Sequence, residues 1–267
     1  MKQKFNLKVT TFSLLLGTAG LANAVCDSQV PPFVEKISAQ VIIIGEIHGT
    51  REMPEFAAKL VCYYAKRKTP VLLGLELPNE DQAYIAAYHL SNGTLQDKEK
   101  LLGAAFWKRT DGRGSTAVFD LMEHARKLTK DGHAVFPFFY QASNTPLNLG
   151  NNKEDHNINN DLAMAASIYT RAINYKQHKI IILAGNIHAR KADAIYSMAS
   201  FLEKFTPVFS INFTYQGGKV WGCTGTPMLC GISAVNPTTA QQQIGFDGIA
   251  ALGELHPAPP IIGNLIK

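Results

Sequence analysis

Two short segments of the chain share the form G-x-x-H: Gly45-Glu46-Ile47-His48 and Gly185-Asn186-Ile187-His188. Each follows an apolar run, Q-V-I-I-I-G and K-I-I-I-L-A. A third run, L-L-G-L-E-L-P, delivers Glu76. Two imidazoles and a carboxylate are a common ligand set for a divalent metal with an open position. The same groups can orient and deprotonate a water without metal, because histidine titrates near neutral pH. A lone G-x-x-H carries no weight, but two copies at the ends of buried runs point to one site. The glycines let the backbone turn sharply and approach a ligand closely. Nearby loops add Arg51, Asp111 and Arg113, the last two in W-K-R-T-D-G-R. Arginine forks suit anionic or carboxylate-bearing ligands. Asp155, His156 and Asp161 fall near the start of a helical stretch, where acids favour the helix dipole, and are assigned no chemistry.

The elements that must position these groups follow from the hydrophobic period. Short β-branched runs predict buried strands over 40–45, 70–77, 133–140 and 179–184. Helical spacing marks 52–66, 79–90, 95–106, 115–132, 155–175 and 189–205, with 107–114 and 145–155 left as polar loops. The runs 208–214 and 218–222 read as a hairpin around Gln216-Gly217, extending the sheet edge, and the last thirty residues read as irregular. Strands alternating with helices predict one α/β domain with a mainly parallel central sheet flanked by helices and a C-terminal antiparallel hairpin. In such sheets ligands bind beyond the carboxyl ends of the strands, where Glu46, His48, Glu76 and His188 fall.

With 46% hydrophobic and 18% charged residues in 267, disorder is excluded. Lys2, Lys4 and Lys8, an apolar run from Val9 to about Leu21, and Ala22-Asn23-Ala24 have the three parts of a secretory signal peptide. Residues 1–24 are thus expected to be removed, leaving one domain over 25–267, periplasmic or secreted, with no integral membrane segment. The charge of +5 falls to +2 without those lysines, which leaves no nucleic-acid footprint. Four cysteines in an exported chain favour disulfides. The expected pairs are Cys223–Cys230, a local loop worth about 2.5 kcal/mol, and Cys26–Cys62, pinning the mature N-terminus to the first helix. Several machineries are absent: no G-x-S-x-G, no phosphate loop, no G-x-G-x-x-G and no H-E-x-x-H.

G-E-I-H-G-T, L-E-L-P and G-N-I-H, in that order, resemble the signature of the superfamily that joins erythromycin esterases, Tiki/TraB peptidases and ChaN-like haem-uptake proteins. F-W-K-R-T-D-G-R-G-S, D-L-A-M-A and Q-G-G-K-V-W-G-C with its proline-rich tail are similar to ChaN-like members, so the resemblance spans most of the chain after residue 24. It implies an α/β fold with Glu46, His48, Glu76 and His188 as the core site and Arg113 beside it. Asn160 stands where an arginine is often expected, which departs from a full substrate-binding set. The resemblance implies no single activity: Tiki-like members are metal-dependent peptidases, erythromycin-esterase-like members are metal-free hydrolases, and ChaN-like members bind haem. Two readings follow. One is a hydrolase that activates water against a small-molecule or peptide ester, lactone or amide, with or without a divalent metal on His48, Glu76 and His188. The other is a haem- or iron-binding uptake protein without turnover. Two carboxylates beside the histidines favour the hydrolase, since haem sites need no such pair.

Overall fold

The computed structural model describes residue 26 and residues 29–142, 153–191, 196–225 and 227–262; the side chains of 153–156 are not among those described. The signal segment, the 145–152 part of the expected loop, and the side chains of Asp155 and His156 therefore lie outside the described residues.

Six strands form one sheet: β1 (Val41–Glu46), β2 (Val71–Pro78), β3 (Val135–Gln141), β4 (Lys179–Gly185), β5 (Val208–Thr214) and β8 (Gly248–Ala251), in the order β3-β2-β4-β1-β5-β8. Every pairing in it is parallel. The helices are α1 (Glu52–Lys66), α2 (Gln82–Leu90), α3 (Leu95–Leu102), α4 (Thr116–Lys130), α5 (Lys153–Asn174), α6 (Asn186–Ala189) and α7 (Met198–Glu203). They cover both faces, which is why β1 is buried at every position. Ile42, Ile44, Leu73 and Leu183 pack with Leu60 of α1 and Leu121 of α4. Val41, Ile43, Ile180 and Ile182 pack with Ile168 of α5 and Leu202 of α7. Alternate residues of each strand thus feed opposite cores. No helix among the described residues is long and apolar enough to cross a membrane.

The antiparallel hairpin is real but is built from other segments. β6 (Gly218–Thr224) pairs with β7 (Leu229–Val235), as a separate two-stranded sheet. β5 lies inside the parallel sheet beside β1 instead. The sheet's edge is β8, drawn from the stretch expected to be irregular. β5 is buried at most positions, as an inner parallel strand must be, whereas β7 is half-exposed or exposed throughout and carries little periodic signal. Of the expected 189–205 helix, the described residues show α7 (Met198–Glu203), capped at Ser197 by its side-chain bond from Ser200 N, while α6 ends at Ala189 and 192–195 lie outside the described residues. Trp107, read as part of a polar loop, is buried in a 3-10 turn over Ala105–Lys108. Both expected disulfides are present, Cys26–Cys62 and Cys223–Cys230.

Candidate functional site

The strand register brings the carboxylates together. Glu46, last in β1, pairs with Gly185, last in β4. Leu75 of β2 pairs with Leu183 of β4, so Glu76 reaches the same edge from the other side. Both side chains are buried, Glu46 at 4% and Glu76 at 6% exposure. His48 folds back from the turn after β1, with Nδ1 2.8 Å from Glu46 Oε1 and Nε2 3.7 Å from Glu76 Oε2. His188 arrives on α6, with Nδ1 2.7 Å from Asp161 Oδ1 and Nε2 3.9 Å from Glu76 Oε1. Two imidazoles therefore approach the two oxygens of one carboxylate through Nε2, and each is held from behind by another carboxylate. That backing fixes ring orientation and tautomer.

Glu76 has two more partners. Its Oε2 accepts the Gly185 N–H at 2.8 Å, and its Oε1 faces Arg113 Nη1 at 3.4 Å. Arg113 is clamped by Asp111 Oδ2, which accepts from Nη2 at 2.7 Å and Nε at 3.2 Å, and Nη1 also donates to Gln141 Oε1 at 3.1 Å. Gly185 forms the floor: a Cβ there would lie 3.1 Å from His48 Nε2 and 3.5 Å from both Glu76 Oε2 and His188 Cδ2. Glu46 Oε2 is buried and has no hydrogen-bond partner among the described residues.

The charges set the protonation. Burial pulls the His48 imidazole down, but Glu76 and Glu46 outweigh it and push the group up to about 9. Burial likewise opposes the charge on His188, and the Asp161 hydrogen bond with the charges of Glu76 and Asp161 raises it above the usual histidine value. Burial would lift Glu76, yet His48, His188, the Gly185 N–H and Arg113 hold it below the usual carboxylate range. His48 is consequently an imidazolium at neutral pH.

The structure brings Glu46, His48, Glu76, His188, Asp111 and Arg113 into one place and leaves Arg51 out. Arg51 is exposed and lines a separate groove between α1 and α4 with Glu55, Asp120 and Pro257. Asp161, which the sequence reading assigned to the helix dipole, joins this cluster through His188. Gln141, at the end of β3, went unnoticed altogether.

The donor set does not suit a divalent cation. Both oxygens of Glu76 are engaged, one by a backbone N–H and one facing a guanidinium that would repel the ion. Among the described residues, the group of three potential ligands gathered within 4.8 Å is Cys26, Cys62 and His124. Its two sulfurs are joined in a disulfide and have no thiolate to offer.

No protein-family model matches the sequence, and no curated protein matches it. Solved structures match in fold. An erythromycin esterase mutant in its open conformation aligns at a TM-score of 0.56 and 14% identity, over 78% of this chain and 78% of that one. A protein from Bacillus cereus aligns at 0.57 and 12% identity, over 76% and 72%. A succinoglycan biosynthesis protein aligns at 0.56 and 12% identity, over 78% and 74%. At such identities the likeness speaks for the fold. The chain has the fold of the erythromycin esterase, whose superfamily its two G-x-x-H motifs and L-E-L-P resemble.

Proposed function

We propose that this chain is an exported hydrolase in which the Glu46–His48 pair activates a water against an ester, lactone or amide carbonyl. The observation that supports it most is the 2.8 Å bond from His48 Nδ1 to Glu46, which leaves Nε2 to face the site. In the neutral ring, Nδ1–H donates to Glu46 and the Nε2 lone pair takes the proton of the attacking water. The imidazolium that forms is stabilised by Glu46 and Glu76, so His48 is a strong base. At pH 7 its neutral form is a minority of about one in a hundred. As the water oxygen bonds to the carbonyl carbon and the bond to the leaving group breaks, protonated His188 gives its Nε2 proton to the departing oxygen or nitrogen. Asp161 holds that ring in place. Arg113, kept charged beside Glu76, orients the acyl group. The N-terminal pattern and the two disulfides support export.

Purified wild type and His48→Asn are to be assayed on a panel of chromogenic esters, lactones and anilides, and both titrated with haemin while the Soret region is followed. The proposal expects turnover that falls by about 10²–10⁴-fold in the variant, and no Soret band that depends on His48. No turnover across the panel, with a stoichiometric haemin band lost in the variant, would overturn it in favour of haem binding.

A further inference from the structure

The turn carrying His48 and the loop carrying Arg113 come from different parts of the chain, and they meet through glycines. Gly49 and Gly112 both have positive φ, +79° and +89°. A Cβ on Gly112 would come within 2.8 Å of Gly49 N, so no larger residue fits between the two segments. Close packing of small residues does not by itself hold two loops in register. The link is Trp221, on β6. Its backbone N–H donates to Gly49 O at 3.0 Å, one residue beyond His48. Its indole Nε1–H donates to Thr110 O at 2.8 Å, three residues before Arg113. One side chain and its own main chain thus bridge the two halves of the site. The hairpin that presents Trp221 is closed by Cys223–Cys230, which are register partners. Both sulfurs contact Thr110: Cys230 Sγ lies 3.2 Å from its Oγ1 and Cys223 Sγ 3.2 Å from its carbonyl oxygen.

We propose that Trp221 is a positioning residue of the His48–Glu76 site, tying the His48 turn to the Arg113 loop, with the Cys223–Cys230 hairpin as its support. This rests on the site described above, but not on its being hydrolytic. Without the indole donor, the Thr110 carbonyl loses its N–H partner on β6, the loop is held less closely to the His48 turn, and Arg113 shifts away from Glu76. Arg113 is the cation that opposes the charge on His48, against Glu76 and Glu46. Its withdrawal therefore moves the His48 titration upward.

The test is a histidine NMR titration of the full chain, which needs no substrate. Trp221→Phe should raise the His48 midpoint in the same direction as Arg113→Ala. The double variant should move no further than Arg113→Ala alone, since the tryptophan acts through the arginine. A wild-type midpoint in Trp221→Phe while Arg113→Ala shifts it, or two shifts that add, would overturn the proposal. Where Trp221→Phe fails to fold, Cys223→Ser/Cys230→Ser keeps the indole and frees its support. A smaller upward shift is then expected, and an unchanged midpoint in that variant overturns the proposal. Turnover assays of His48→Asn bear on the hydrolase reading alone, so the two can fail separately.

Discussion

Asp161 and His188, 27 positions apart, are joined at 2.7 Å through Oδ1 and Nδ1. The same oxygen accepts the Met198 N–H at 2.7 Å, so one carboxylate on α5 fixes the imidazole and anchors the start of α7. Set beside Glu46–His48, this makes two backed imidazoles facing one carboxylate. The pairs differ in origin. Glu46 and His48 are two residues apart on one turn, whereas Asp161 and His188 meet only because α5 packs against the sheet edge.

Asp161→Asn tests the second pair. The amide oxygen can still accept from Met198, but the charge that raises His188 is lost. The His188 midpoint should fall, with a stability loss of about 1–3 kcal/mol. NMR titration and urea unfolding measure the two. An unmoved midpoint would show that Asp161 only anchors α7.

Gly185→Ala tests the floor. The backbone at Gly185 has φ −52° and ψ 139°, which alanine adopts freely. The new methyl would press on His48 Nε2, at 3.1 Å, and touch Glu76 Oε2, at 3.5 Å. Activity should fall tenfold or more while the melting temperature changes by only a few degrees. Full activity would mean that the space above Gly185 is not where the reaction occurs.

The stability of the fold should depend on pH through His48. In the fold this group holds its proton up to about 9, against 6.5 when free. The stabilisation is complete below pH 6.5 and is lost as pH rises through about 9. Its full size is on the order of 3 kcal/mol. Urea midpoints of wild type should decline between pH 6.5 and 9.5, and those of His48→Asn should decline much less. Parallel curves would place the proton elsewhere.

Metal removal should have no effect. With Glu76 engaged by Gly185 and facing Arg113, dialysis against a chelator is expected to leave turnover and the His48 titration unchanged. Loss of turnover that zinc or manganese restores would contradict this.

Much of the site was readable because its residues end buried strands. The β-branched runs before Glu46 and His188 mark inner parallel strands, and such strands deliver their ends to one edge. The order β3-β2-β4-β1-β5-β8 was not readable, since it depends on which crossovers pack best. Asp161 was legible in principle. It shares a helical stripe with Met164, Ile168 and Ala172, all buried, and an acid on an apolar stripe needs a partner. The helix-dipole reading overlooked that stripe. The hairpin was misassigned because Gln216-Gly217 looked like its turn. Gly217 and Gly218 do have positive φ, but Gly218 is bridged to Leu255 of the tail. The better signal was the cysteine pair flanking Gly225, which are cross-strand partners in β6 and β7.

The central claim is that His48 and His188 act as one unit on a single water and leaving group. The direct measurement is kcat/KM for His48→Asn, His188→Asn and the double variant on the best substrate of the panel. Each single variant is expected to lose about 10²–10⁴-fold, and the double variant to be little worse than either, as for groups that work together. Losses that multiply in the double variant would contradict it, showing that the two histidines act independently of each other and not in one concerted step.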